Sequence, residues 1–319
     1  MNYSKSDHYD GERFFNPSGP ELPGLADVLK WKLASGKNAW PQSIPNKKPN
    51  LQHQVELNET FITSIGHITH LIQVHGCSLL TDPVFSDRAS PVQWAGPKRV
   101  RPPAITIAEL PKVHLVLVSH NHYDHMDLNS LKEIHRLHDP VFIVPLGNAK
   151  DLQSVGITKI EELDWWQSTT TAGLGIQCVP AQHWSSRTPT DRNLALWCGF
   201  VIDAHALKIY FAGDSGYGPH FNEIAKRAGP IDVSLLPIGA YEPRWFMKGQ
   251  HMNPDDAVKA HIDLSSTLSI GTHFGTFQLT DEAVTAPVDD LKVALLAMNV
   301  SAERFPAPEP GEVIYFKKT

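Results

Sequence analysis

Ser119-His120-Asn121-His122-Tyr123-Asp124-His125-Met126-Asp127 crowds imidazoles and carboxylates into one short stretch. Imidazole nitrogen and carboxylate oxygen are the ligands that a borderline-soft cation such as Zn²⁺ takes in catalytic sites. Residues two apart on an extended segment point the same way. His120 and His122 can therefore grip one ion while Asp124 and His125 face a second. Even with 17 histidines in the chain, a chance H-x-H-x-D-H is expected on the order of 0.003 times per chain. The competing explanation is a solvated polar loop.

One loop cannot complete two coordination spheres. His183 follows the apolar run GIQCVP, Asp214 follows KIYFAG, and His273 follows TLSIG. Gly213 and Gly275 beside two of them permit close approach of the backbone. Taken singly, each reads as a capping Asp or a satisfied core His. Together with the loop, they bring ligands from four strand ends to one edge.

The elements that must position these groups are short. FITSI, HLIQV and SLLT, separated by the turn-like GH and HGC, predict a meander from about Phe61. VHLVLVS (113–119) predicts a buried strand leading directly into the histidine loop. A helix over DLNSLKEIHRLH, a strand at VFIVP (141–145) and a helix from Gly147 to Ser154 follow. GIQCVP, LALWCGFVI, KIYFAG, VSLLPI, TLSIGTH and VIYFK predict further strands, and LKVALLAMN predicts a helix. Asn253-Pro254-Asp255-Asp256 has the N-cap, first-turn proline and acids of a helix start. Strands and helices alternate in both halves, so the fold class is α/β.

Residues 1–55 differ. Prolines at 17, 20, 23, 41, 45 and 49 interrupt any long helix. Within them Leu25, Val28, Leu29 and Leu33 fall at helical spacing, either as a helix packed on the body or as one lying on a membrane surface. We read 1–55 as an extension packing on a catalytic domain that spans 56–319.

Composition narrows the class. The 319 residues carry a net charge of −6, which argues against a nucleic-acid partner held by bulk positive charge. Three cysteines, Cys77, Cys178 and Cys198, show no CxxC spacing, as expected of a reduced, cytoplasmic protein. No apolar run reaches the roughly 18 residues of a membrane span, and the polar start has no signal-peptide core. Membrane contact would therefore be peripheral, on the inner face. A homodimer is left open.

The full set, H-x-H-x-D-H with a distant His, an Asp and a final His, resembles the metallo-β-lactamase superfamily. The closer likeness is to the N-acylphosphatidylethanolamine-hydrolysing phospholipase D family and its bacterial relatives. It rests on TDPVFSDRASPVQWAGPKRVRPP, LVSHNHYDHMD, ELDWW, FAGDSGY and above all PIGAYEPRWFMKGQHMNPDDA. The resemblance implies an αβ/βα four-layer sandwich with metals at one edge. It implies His120, His122 and His183 on a first zinc, Asp124, His125 and His273 on a second, and Asp214 between them. It also places substrate chemistry near His251. The same donors accept Mn or Fe.

Such a site suits attack of a metal-activated water on an anionic phosphodiester, with Asp124 orienting the water. His251 would position the phosphate or protonate the leaving alkoxide; a surface His before a helix is the alternative. The implied products are phosphatidic acid and an N-acylethanolamine. Tyr123, Tyr241, Trp245 and Phe246 are candidate substrate contacts, and Trp31, Trp94 and Met247 could join them in an apolar mouth. Lys98, Arg99 and Arg101 either meet anionic head groups or form a solvated turn. Rival readings are a metal-dependent lactonase, which shares the Gly66-His67 meander, another phosphodiesterase of this fold, a nucleic-acid processing enzyme, and a metal-binding scaffold with a dead site.

Overall fold

A computed structural model describes residues 3–19, 23–34, 36–51, 55, 59–205 and 207–318. In chain order the strands are β1 Thr60–Gly66, β2 Thr69–Val74, β3 Cys77–Thr81, β4 Leu115–Leu117, β5 Val141–Pro145, β6 Ile160–Leu163, β7 Ser168–Thr171, β8 Leu174–Val179, β9 Gly199–Ala204, β10 Leu207–Phe211, β11 Val233–Pro237, β12 Leu268–Thr272 and β13 Val313–Phe316. The α-helices are α1 Leu25–Ala34, α2 Leu128–His138, α3 Ala149–Gln153, α4 His220–Ala228, α5 Arg244–Met247, α6 Pro254–Asp263 and α7 Ala286–Ala297.

The strands form two sheets, ordered β13-β1-β2-β3-β4-β5-β6 and β12-β11-β10-β9-β8-β7. The period of two along a strand sorts side chains between two cores. Leu115 and Leu117 of β4 enter the core between the sheets, where Ile176, Phe200, Phe211 and Leu235 meet them from the other sheet. Val116 and Val118 point outward to Leu131 and Ile134 of α2 and Leu152 of α3. On the far side, Tyr210 and Leu236 pack on Phe221 of α4, Val258 of α6 and Leu291 of α7. Both faces of both sheets are thus covered, giving the four layers expected. It also explains why β4 is apolar without alternation.

Three expectations change in detail. The strand expected over 113–119 is β4 alone, although its ladder bonds continue through His114 and Val118. Helix 147–154 contracts to α3. Only the second half of LALWCGFVI is strand. Its first half crosses to the other sheet instead, where Leu196 N–H donates to Leu146 and Cys198 N–H to Ser119. That crossing ties the histidine loop to the second sheet.

The described part of the N-terminal 55 residues lies against the body. Tyr9 and Phe14 join the inter-sheet core. Trp31 of α1 donates its indole N–H to Asp281 (2.8 Å), and Trp40 donates to the Glu282 carbonyl (2.9 Å). The Leu25 side chain and residues 56–58, at the boundary we set, lie outside the described residues. Among the described residues, no helix is long and apolar enough to cross a membrane.

Candidate metal centre

Strand ends deliver the site. β4 runs into His120–His125, β8 into His183, β10 into Asp214, and β12 into His273. Gly213 allows the Asp214 strand end to close on the histidine loop. It has φ +60°, and a Cβ there would lie 2.6 Å from the Ser119 Cβ. Gly239 is tighter still, because a Cβ would lie 2.2 Å from the His273 carbonyl oxygen.

Two buried groups of donors result. His120 Nε2 lies 2.8 Å from His122 Nδ1, and His183 Nε2 lies 3.2 Å from the same atom. His125 Nε2 and His273 Nε2 are 3.3 Å apart, and Asp124 Oδ2 lies 3.2 Å from His273 Nε2. Asp214 stands between the groups: Oδ2 is 3.0 Å from His125 Nε2 and 3.8 Å from His183 Nε2, while Oδ1 is 3.3 Å from His273 Nε2.

The donor set fits divalent cations. Imidazole lone pairs crowded at these distances repel unless a cation sits among them. The outer nitrogens show which lone pairs face inward. His183 Nδ1–H donates to the Gln250 carbonyl (2.9 Å), and His125 Nδ1–H donates to Asp82 (2.7 Å). His120 Nδ1 lies 3.0 Å from Ser119 Oγ, which itself donates to Asp82 (2.6 Å). Each bond occupies the outer nitrogen and turns Nε2 toward the cluster, the arrangement in which histidine ligates metal. Asp214 Oδ1 and His122 Nε2 are buried without hydrogen-bond partners.

The electrostatics agree. Burial, then neighbouring imidazoles, hold His120 and His122 well below the ordinary histidine value, so they are neutral. Burial pushes the Asp124 and Asp214 carboxyls up, but the adjacent histidines, His125 foremost, outweigh it and hold both well below the usual range. The same carboxylates overcome burial to raise His125 well above its ordinary value. This cluster stabilises positive charge.

His251 belongs to the same space. Its Nδ1 lies 3.8 Å from Asp214 Oδ2, and its ring is 5.1 Å from His183. Burial lowers it to about 3, so the ring is neutral. Arg244 fixes its backbone, donating to the His251 carbonyl (2.9 Å) and to Asp256 at the start of α6 (2.7 Å). A cavity of about 520 Å³ opens beside these groups, lined by Val28, Trp31, Tyr123, Phe246, Met247 and Leu279 among others.

The aromatic candidates separate. Phe246 and Tyr123 line the cavity. The Tyr123 hydroxyl donates to the Arg187 carbonyl (2.8 Å), and the Arg187 guanidinium lies 4.2 Å over its ring, so Tyr123 also clamps the loop that follows His183. Tyr241 is 3 % exposed and gives its hydroxyl to Asp290 (2.5 Å), away from the cavity lining. Trp245 is 51 % exposed beside Phe246. Of the basic group, Arg99 is buried and donates to the Val84 and Ser86 carbonyls (2.8 and 3.0 Å), so it clamps the segment after β3 instead of meeting head groups. Arg101 pairs with Glu309 at 2.9 Å. Sequence reasoning missed Asp82, the carboxylate behind His125, and Glu282, which receives the Ala240 N–H (2.7 Å) and Glu242 N–H (3.1 Å). The signals for Asp82 were an acid one residue past an apolar run and its place at the start of the family-like stretch TDPVFSDRASP, neither of which names His125 as its partner.

The family described as β-lactamase superfamily domain matches residues 78–274. The chain is 38% identical over 310 residues to N-acyl-phosphatidylethanolamine-hydrolyzing phospholipase D 1 of Caenorhabditis elegans, covering 89% of this chain and 86% of that one. It is 36% identical over 274 residues to the mitochondrial N-acyl-phosphatidylethanolamine-hydrolyzing phospholipase D of Saccharomyces cerevisiae, covering 82% of this chain and 58% of the yeast protein. Among solved structures, Igni18, a metallo hydrolase of Ignicoccus hospitalis, superposes with a TM-score of 0.61 at 21% identity, covering 82% of this chain and 100% of that one.

Proposed function

The chain belongs to the β-lactamase superfamily and, within it, to the family of N-acylphosphatidylethanolamine-hydrolysing phospholipase D, and from that premise we propose that it cleaves the phosphodiester of an N-acylphosphatidylethanolamine with two zinc ions bound. It is a metal-dependent hydrolase of the metallo-β-lactamase fold. The observation that carries the reading is the convergence of His120, His122 and His183 on one side of Asp214, and of Asp124, His125 and His273 on the other.

His120, His122 and His183 would hold the first ion, Asp124, His125 and His273 the second, with Asp214 shared. When bound, such a pair supplies Lewis acidity that acidifies a water and offsets charge on phosphoryl oxygens. The protein's own groups do the rest. Asp124 faces the cavity and can accept a hydrogen bond from the attacking water, turning its lone pair toward phosphorus. His251, neutral and largely buried beside Asp214 at the cavity wall, has one N–H to give. Nearby cations would lower its affinity for a second proton further. That favours positioning of the phosphate by hydrogen bond over protonation of the leaving alkoxide.

The cavity bears on how the lipid is held. About 520 Å³ is the size of site that takes a drug-sized ligand. A lipid with three long acyl chains is larger, so most of it must stay in a bilayer that the protein meets at the cavity mouth. Leu29 (63 %) and Leu33 (89 %) are exposed on α1, whose Val28 and Trp31 line the cavity, Trp245 (51 %) is exposed next to the lining residue Phe246, and Lys30 lies 4.7 Å over the Trp245 ring. Apolar side chains with an interleaved cation suit an anionic lipid surface. This makes α1 both a packed wall, through Val28 and Trp31, and a surface that touches lipid.

The test is turnover of N-acylphosphatidylethanolamine in vesicles by zinc-loaded protein, with products identified and a lactone run in parallel. Equimolar N-acylethanolamine and phosphatidic acid are expected. Release of free fatty acid, or opening of the lactone alone, refutes the reading.

A further inference from the structure

Gly66-His67 ends the first hairpin strand, far in sequence from every residue assigned above. Yet His67 is buried against the second group of donors. Its Nε2 lies 3.1 Å from Asp124 Oδ2, and its ring centroid is 4.1 Å from that of His273. The backbone is held from both sides. His67 N–H donates to Thr276 Oγ1 (2.9 Å), and the His67 carbonyl accepts from His273 N–H (2.9 Å). The residue adopts φ +56° to make this turn, a conformation that a β-carbon resists. Phe277 stands edge-on at 5.1 Å and closes the remaining face.

The proton on this ring can be placed. A carboxylate oxygen only accepts hydrogen bonds. His67 Nδ1 is buried and has no partner. With the N–H on Nδ1, a donor would be left unmade in the interior and Nε2 would face Asp124 lone pair to lone pair. With the N–H on Nε2, Asp124 is satisfied and only an acceptor goes unused, the cheaper arrangement. Nε2 is thereby a donor.

We infer that His67 is a positioning residue: its Nε2–H donates to Asp124 Oδ2 and fixes which lone pair of that carboxylate faces His125 and His273. His67 is not itself a ligand, although its ring nitrogen lies within 4.8 Å of the donor atoms of Asp124, His125 and His273. An oxygen that accepts one N–H keeps its second lone pair for the ion. Without the donor, the Asp124 carboxylate is free to rotate, and the ion it shares with His125 and His273 is held less well. Partners of this kind behind a ligand are typically worth about 10–100-fold in metal affinity. The inference rests on the two-ion reading proposed above.

The experiment compares wild-type protein with His67→Gln, whose amide can donate from a similar reach, and His67→Leu, which fills the space without a donor. Zinc stoichiometry and affinity are read by chelator competition, and folding of the metal-free proteins by thermal unfolding. Wild type and His67→Gln are expected to bind two ions. His67→Leu is expected to hold the first ion unchanged and to lose about 10–100-fold in affinity for the second. The inference is overturned if His67→Leu binds both ions as wild type does. It is overturned equally if Gln and Leu weaken both ions alike together with the melting temperature, or if zinc-loaded crystals show His67 Nε2 at coordination distance, about 2.0–2.1 Å. Fewer than two ions on wild type would instead refute the two-ion reading.

Discussion

Asp82 has no exposed surface, and its carboxylate takes the Ser119 N–H at 2.7 Å, the Ser119 hydroxyl at 2.6 Å and the His125 Nδ1–H at 2.7 Å. Burial pushes its carboxyl up, while His125 and Ser119 pull it back. It acts on the site by orienting His125 directly and His120 through the Ser119 hydroxyl. Asp82→Asn keeps the shape but can turn an N–H toward His125, reversing the ring and its inward lone pair. We expect zinc affinity to fall about 10–100-fold, measured by chelator competition. His251 should behave in the opposite way. His251→Ala should keep both ions by metal analysis while kcat falls roughly tenfold to a hundredfold, the loss of one hydrogen bond to a charged group. Loss of an ion with His251 would make it a ligand. Convergence of the H-x-H-x-D-H group with His183, Asp214 and His273 was legible because each follows a loud apolar run. Asp82 and His67 were not. Nothing local to an Asp after SLLT, or to a His in a hairpin turn, names a partner dozens of residues away. Arg99 was misleading for the same reason: beside prolines and Lys98 it reads as surface, but tertiary structure gives it backbone carbonyls to bind.

At the scale of elements, α6 is the best-specified helix. The Asn253 side chain accepts the Asp256 N–H at 3.0 Å, and Pro254 opens the first turn. Asn253→Ala should cost about 1 kcal/mol, read as a lower denaturant midpoint. Because Arg244 joins Asp256 to the His251 carbonyl, the same change should also slow turnover. The N-terminal segment offers a pH test. His8 stacks on Trp165 at 4.3 Å and its Nε2 lies 2.7 Å from Asp164, with Asp7 at 2.6 Å on the other nitrogen. Burial opposes its charge, but the two carboxylates prevail and raise it above 6.5. A raised folded value means that this contribution is complete below pH 6.5 and disappears as pH climbs through the higher value. Thermal unfolding of wild type should therefore show this loss in the upper part of the interval from about pH 5 to 8 and beyond, and His8→Gln should remove it. Strands with strong apolar runs were readable, and so was α2 with its Asp127 cap. β7, a half-exposed STTT at a sheet edge, carries no such signal. LALWCGFVI was overread because its first half owes its burial to crossing between sheets, which periodicity cannot distinguish from a strand.

For the molecule as a whole, the four layers place every assigned donor at one edge, and α1 brings apolar side chains to the same edge. Exchanging Leu29 and Leu33 together for Glu should weaken binding to phosphatidylethanolamine–phosphatidylglycerol vesicles about tenfold or more per residue, since burying a leucine is worth about 1.5–3 kcal/mol. Turnover of a water-soluble chromogenic phosphodiester should not change, because neither residue lines the cavity. Equal vesicle binding by the variant would remove α1 from the lipid contact. The α/β class and the packed sandwich followed from apolar runs alternating with helical ones. The joining of the N-terminal segment to the inter-sheet core through Tyr9 and Phe14 did not, because two aromatics among polar residues have no period. The most direct measurement is anomalous diffraction at the zinc edge from crystals of the zinc-loaded protein. The account predicts two peaks about 3.5–4 Å apart, one among His120, His122 and His183, the other among Asp124, His125 and His273, with Asp214 touching both. A single peak, or peaks away from these side chains, would contradict it.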